Sequence, residues 1–167
     1  MLVRPATLDD APAITEIYNQ AVLGTTASFD LEPKSVEDRS AWLADRAPHH
    51  PVLVAEADGA VTAWGALSRY SERPAYDATV EISVYVDAAW HRHGIGRVLT
   101  DALLELASST GVHSVIARIC TENAASISLC EATGFVEVGV MHEVGWKFGR
   151  WLDVATYEYL PSGTAGT

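Results

Sequence analysis

Val84-Tyr-Val-Asp-Ala-Ala-Trp-His-Arg-His-Gly-Ile-Gly-Arg97 decides how this chain is read: a strand runs into a short loop, and two glycines then open an amphipathic helix. Glycine lets the backbone approach an anion closely. The first amides of a helix have no partner within it and sit at its positive dipole end, so they bind the anion's oxygens. Arg92 and Arg97 add mobile positive charge at the rim. A dinucleotide-binding turn would carry a third glycine and a later acidic residue, and a P-loop would carry Gly-Lys-Ser/Thr. Neither is present. The segment predicts a phosphate cradle of another kind.

Outward from it, residues 79–86 alternate and are β-branched, 95–108 form an apolar helix and 114–118 another strand. If those two strands are parallel neighbours, the crossover between them is right-handed. Upstream, 2–5 read as a strand. Thr7 caps a helix, with Asp10 three residues on, and Ala11, Ile14, Ile17, Tyr18 and Val22 recur at helical spacing as far as Gly24. A polar and aromatic loop, 25–33, precedes a helix at 35–46 predicted to turn Val36, Trp42 and Leu43 inward. Strands at 52–56 and 61–67 flank Ala57-Asp-Gly59, a hairpin signal. Residues 123–133 form a helix closed by Gly134, and strands follow. The pattern predicts an α+β domain of three layers, a mixed, mostly antiparallel sheet flanked by helices, over residues 1–160. A flexible tail, Pro-Ser-Gly-Thr-Ala-Gly-Thr, is expected at 161–167.

With 167 residues, 49% of them hydrophobic, the chain suffices for one core. A formal charge of −11, from 11 basic against 22 acidic residues, argues against nucleic acid or an anionic membrane as partner. The chain has two cysteines, no secretory leader pattern and no apolar run near the roughly 18 residues of a membrane span, so the expected setting is reducing and cytoplasmic. His49-His50 and His91-x-His93 have no carboxylate or cysteine at ligand spacing, so no metal is expected. The five tryptophans read as core or dimer-contact aromatics.

His91-Arg-His-Gly94-Ile-Gly96 after a strand resembles the pyrophosphate loop of the GNAT acyltransferase superfamily, Gln/Arg-x-x-Gly-x-Gly/Ala, and Asn123-Ala-Ala-Ser126 through Gly134-Phe135 resembles that superfamily's Asn-to-Gly-Phe segment. Ala75-Tyr-Asp-Ala-Thr-Val-Glu81-Ile-Ser-Val-Tyr-Val86 and Gly145-Trp-Lys147-Phe-Gly-Arg-Trp-Leu-Asp153, with Asn19 and the 25–33 loop, are similar to the phosphinothricin and methionine sulfoximine/sulfone N-acetyltransferase family. The resemblance implies acetyl transfer from acetyl-CoA to the α-amine of a small amino acid analogue, in a homodimer. It also implies that main-chain groups of Val84, Tyr85 and Val86 hold the pantetheine arm. Amides of Arg92, His93, Gly94, Ile95, Gly96 and Arg97 would surround the pyrophosphate, and Asn123, with Ser126 on the same helix start, would meet the coenzyme arm. On residue type alone, Asn123 reads equally as a helix cap.

An α-amine is largely protonated at neutral pH, so the reaction needs a base. Glu81 matches the family's glutamate in Thr-Val-Glu, and apolar neighbours Val80 and Ile82 would push its pKa up toward a useful value. A strand amide near Val84 would polarise the carbonyl of the thioester. Cys130 stands where close relatives have histidine and the wider superfamily often tyrosine. With a reference pKa of about 8.5 it could protonate the leaving thiolate, or it is a small buried residue. Ser71 stands where relatives carry a basic residue, leaving Arg73 to grip an anionic group of the acceptor. By resemblance, Phe29 and Tyr76 wall the acceptor pocket and Lys147 lies near it. Two other classes stay open: a GNAT enzyme for another amine, such as a polyamine, an aminoglycoside or a protein N-terminus, and a coenzyme A sensor without catalysis.

Overall fold

The computed structural model describes residues 1–161, so the expected tail lies, apart from Pro161, outside the described residues. In chain order the elements are β1 (Leu2–Pro5), α1 (Ala11–Gly24), α2 (Val36–Ala44), β2 (Val52–Ala57), β3 (Ala60–Arg69), β4 (Thr79–Val86), α3 (Ile95–Ser109), β5 (Ser114–Cys120), α4 (Ala124–Ala132), β6 (Val136–Lys147) and β7 (Arg150–Tyr159). The strands form one sheet in the order β1-β2-β3-β4-β5-β7-β6. Only the β4–β5 pair is parallel, with α3 as its crossover; the other neighbours run antiparallel, as the sequence predicts.

Strand alternation divides the core between the two faces of the sheet. Leu53, Ala55, Ala63, Leu67, Val80 and Ile82 pack with Leu99 and Leu103 of α3, whereas Val52, Val54, Trp64 and Ala66 pack with Ile14, Ile17 and Val22 of α1. The turns follow their chemistry. Asp58 and Gly59 both take positive φ, 52° and 79°, the pair of angles that a two-residue hairpin matched to strand twist requires. Ser35 caps α2 by accepting from the Asp38 amide at 3.1 Å, with Asp38 reaching back to complete the box.

The inward face of α2 departs from its expected pattern. Trp42 and Leu43 pack against the α1-side core, but Val36 is exposed and Arg39 is buried in its place. The Arg39 guanidinium lies 4.5, 4.6 and 5.3 Å from the ring centroids of Tyr18, Trp42 and Trp64. Three electron-rich ring faces replace part of the water that a cation loses on burial. That burial holds the Arg39 pKa below its ordinary value.

At the other edge of the sheet, the Arg4 guanidinium of β1 donates to both Asp10 oxygens at 2.8 Å and to Glu56 of β2, tying the first strand to the start of α1. The Arg4 fork, above all, holds the nearly buried Asp10 carboxyl below its ordinary value of 3.8. A carboxyl depressed in the folded state stabilises the fold above its unfolded pKa and loses that contribution as pH falls through the folded one. Asp10→Asn is therefore expected to lower stability by roughly 1–3 kcal/mol at neutral pH. The gap to wild type should close as pH drops below 3.8, read as melting temperature against pH for both proteins.

Candidate active site

Pairing between β4 and β5 covers only Thr79 with Ser114, Val80 with Val115 and Glu81 with Ile116. Beyond Glu81 the two strands splay. β4 stays bonded to β3 as far as Val86, and β5 stays bonded to β7 as far as Cys120, so each keeps one edge open to the gap. A cleft of about 610 Å³ occupies the splay, with Val84 and Tyr85 on one side and Ala117 to Cys120 on the other. Extended backbone with unpaired amides and carbonyls is suited to hold an extended amide-bearing chain as an added strand. One acceptor there is already taken, since His91 Nε2 lies 2.9 Å from the Val86 carbonyl oxygen.

The glycine-led helix start lies beside the cleft rather than in its lining, with Gly96 next to Val86 and Leu129. Gly94 precedes α3 at φ 76°, a left-handed conformation that side chains resist, and turns the chain so that the amides of Ile95, Gly96 and Arg97 open the helix. Arg92 and Arg97 are exposed there, and Arg97 Nε donates to Asp101 at 2.9 Å. His93 packs its ring 5.6 Å from that of Trp90. Opposite, Asn123 and Ser126 line the cleft at the start of α4. Asn123 is a helix cap, with Oδ1 accepting from the Ser126 amide at 3.2 Å, which leaves its NH₂ group for a ligand.

Glu81 lines the same cleft, but not in apolar surroundings. Val80 and Ile82 point to the opposite face, into the α3 core, because neighbours on a strand alternate. The carboxylate instead accepts a two-bond fork from Arg118 of β5, Nε to Oε1 at 2.9 Å and Nη2 to Oε2 at 2.7 Å. Arg118 is the residue that sequence reasoning missed. The signal was available in the register: with Glu81 beside Ile116, residue 118 falls on the Glu81 face of the parallel pair.

Phe29 lines the cleft as expected. Its ring packs against Gly145 of β6 so closely that an added Cβ would run into it. Ser28 and Asp30 on the same loop are gathered by Tyr18, whose hydroxyl lies 2.9 Å from Ser28 Oγ and donates to Asp30 Oδ2 at 2.5 Å. Lys147 does not face the cleft. Only 4% exposed, it donates to the Ser28 carbonyl at 2.6 Å and braces the loop, and burial lowers its pKa.

Ser71, Arg73 and Tyr76 are not among the lining residues either. Arg69 pairs with both Glu72 and Asp77, which folds 71–78 into a surface turn where Arg73 is exposed and Tyr76 packs edge-on against Tyr70. Cys130 does line the cleft, yet it belongs to the α3-side core, and burial, helped by the charge of Glu131, pushes its thiol up to about 11. That lies above the reference value of about 8.5 for an alkyl thiol, so proton transfer from Cys130 to a departing thiolate would run uphill.

A splayed parallel strand pair with an open backbone edge, a glycine-led helix start beside it and a carboxylate within it define an acyl-coenzyme A acyltransferase. The family description "Acetyltransferase (GNAT) domain" matches residues 3–156, and the chain belongs to that family. It is 41% identical over 155 residues to the L-methionine sulfoximine/L-methionine sulfone acetyltransferase of Salmonella typhimurium, covering 92% of this chain and 91% of that one. It is 36% identical over 160 residues to the phosphinothricin N-acetyltransferase of Streptomyces coelicolor, covering 93% and 94%. Among solved structures, a GNAT superfamily phosphinothricin acetyltransferase from Sinorhizobium meliloti in complex with acetyl-CoA superposes with a TM-score of 0.94 at 33% identity, covering 99% of this chain and 91% of that one. The protein is an enzyme that acetylates amines with acetyl-CoA as donor.

Proposed function

We propose that this enzyme acetylates the α-amine of a small amino acid analogue of the sulfone, sulfoximine or phosphinic type, by direct transfer from acetyl-CoA bound in the splay. The acceptor class rests on the relatives' substrates. The observation that carries the mechanism is the Glu81 carboxylate, held by Arg118 in the cleft that the open edge of β4 lines.

Acetyl-CoA supplies an acyl group already activated as a thioester. Backbone groups of Val84, Tyr85 and Val86 hold its pantetheine arm, amides of residues 92–97 with Arg92 and Arg97 hold its pyrophosphate, and Asn123 and Ser126 meet the arm from α4. An amide near Val84 donates to the thioester carbonyl and stabilises negative charge developing on that oxygen. Glu81 takes the proton from the acceptor's ammonium, directly or through one water, and the Arg118 fork keeps the carboxylate aimed. The freed amine attacks the thioester carbon, the C–S bond breaks, and the departing thiolate takes the second N–H proton of the nitrogen, so Cys130 fills space beside the thioester site rather than acting as an acid.

A homodimer belongs to the same proposal. Val138, Val144, Trp146, Phe148 and Trp151 are 49–60% exposed on the β6–β7 hairpin, an apolar strip of the kind that subunits cover. A cytoplasmic setting is proposed with it. No helix among the described residues is long and apolar enough to cross a membrane.

The test of acceptor class is release of coenzyme A thiol from acetyl-CoA with L-methionine sulfone, L-methionine sulfoximine and L-phosphinothricin, beside a polyamine and an aminoglycoside. Turnover is expected to be fastest on the amino acid analogues. Preferred turnover of the polyamine or the aminoglycoside would overturn the assignment.

A further inference from the structure

Among the described residues, Arg118 is the one lysine or arginine that lines the cleft, and the carboxylates lining it are Asp30 and Glu81. Arg118 and Glu81 stand side by side in a two-bond fork, positive beside negative, on one face of the splay. The head of an α-amino acid is the mirror of that pair, an ammonium and a carboxylate on one carbon. A guanidinium has five N–H donors; Glu81 takes one from Nε and one from Nη2, which leaves three. Half of the Arg118 side chain is exposed. The guanidinium can thus accept a second carboxylate without releasing the first.

We infer that Arg118 is the residue that recognises the acceptor's α-carboxylate, while Glu81 beside it receives the α-ammonium. This rests on the reading of Glu81 as the base and deepens it by naming the specificity residue. The fork fixes both poles of the head group, so the nitrogen that must lose its proton is delivered to the carboxylate that takes it: one N–H bond breaks, one carboxyl O–H bond forms, and the amine lone pair is freed. Arg73, the alternative anion grip, sits on the surface turn and does not line the cleft.

The same inventory limits the rest of the acceptor. With Arg118 committed to the α-carboxylate, a second anion on the side chain meets no lysine or arginine among the lining residues, whose other carboxylate is Asp30. The preferred acceptor is therefore an α-amino acid whose side chain carries no net negative charge, which places methionine sulfone and sulfoximine ahead of phosphinothricin.

The test compares kcat/KM for L-methionine sulfone and for its primary amide, which keeps the amine and loses the carboxylate charge, in wild type, Arg118→Gln and Arg118→Lys. Taking the acid-to-amide ratio within each protein cancels the amide's own lower amine basicity. Wild type is expected to favour the acid. In Arg118→Gln that ratio should fall about 10- to 100-fold, chiefly through KM for the acid, the size of losing a charge-assisted hydrogen-bond pair. Arg118→Lys should recover part of it.

Equal loss on both substrates in Arg118→Gln would show that Arg118 only aims Glu81, and would overturn the inference, as would no change on either. The base assignment fails separately, if Glu81→Gln turns over normally while the Arg118 ratio still collapses. Should the wild type acetylate neither compound yet turn over another amine, both the inference and the acceptor class fall.

Discussion

Glu81→Gln is expected to lower kcat/KM on L-methionine sulfone by about 10²- to 10⁴-fold, the range for losing a positioned general base. Acetyl-CoA affinity should stay within about twofold, because the proposed coenzyme contacts are backbone edges and helix amides rather than this side chain. The glutamine amide is nearly isosteric and keeps one acceptor oxygen for the Arg118 guanidinium, so cleft geometry survives while proton acceptance is lost. Measured together, turnover and coenzyme titration separate the chemical step from binding. A variant that keeps wild-type kcat/KM while binding acetyl-CoA normally would remove Glu81 from the mechanism.

Leu103→Ala should cost about 2–5 kcal/mol, the range for a fully buried leucine truncated in a packed core. Leu103 is 0% exposed in the cluster between α3 and the sheet, and its δ-carbon rests on the bare backbone of Gly65 at the centre of β3. In a domain of this size that loss corresponds to a fall in melting temperature of roughly 5–15 °C. Leu103 holds α3 down on the sheet, and α3 carries the proposed phosphate cradle at its N-terminus. Saturating acetyl-CoA should nevertheless raise the melting temperature of wild type and variant by similar increments, since the cradle lies two turns away from the cavity. A variant within about 1 kcal/mol of wild type would mean that the core can collapse around the missing side chain.

Most of the architecture is written locally. The Asp58-Gly59 turn, the Ser35 and Asn123 caps, and the apolar period from Ile95 onward each fix an element from its own residues. The parallel β4–β5 pair follows from the helix between those strands. Arg39 was not legible, because a hydrophobic pattern reads arginine as outward, and only the assembled Tyr18, Trp42 and Trp64 rings make its burial tolerable.

The site divides along the same line. Glu81, Phe29, Val84, Tyr85, Asn123, Ser126 and Cys130 converge on the cleft because strand and helix registers carry them there. Residues 71–78 lie in a turn whose shape is set by the ion pairs of Arg69, so likeness in sequence did not place Arg73 or Tyr76 at the cleft. Resemblance puts Lys147 near the acceptor pocket, but its position depends on a hydrogen bond to Ser28, 119 positions away. Arg118 carries no motif. Its importance emerges only when two strands distant in sequence are laid side by side.

Both cysteines line the cleft, so an acetylated thiol is the chemical alternative to direct transfer. The decisive measurement is time-resolved mass spectrometry of protein and small-molecule products together after mixing with acetyl-CoA and L-methionine sulfone. Direct transfer with Glu81 as base predicts that the N-acetylated amino acid appears in step with free coenzyme A while the protein's mass stays constant. Accumulation of a protein heavier by one acetyl group before product forms, its label on Cys130 or Cys120, would contradict it.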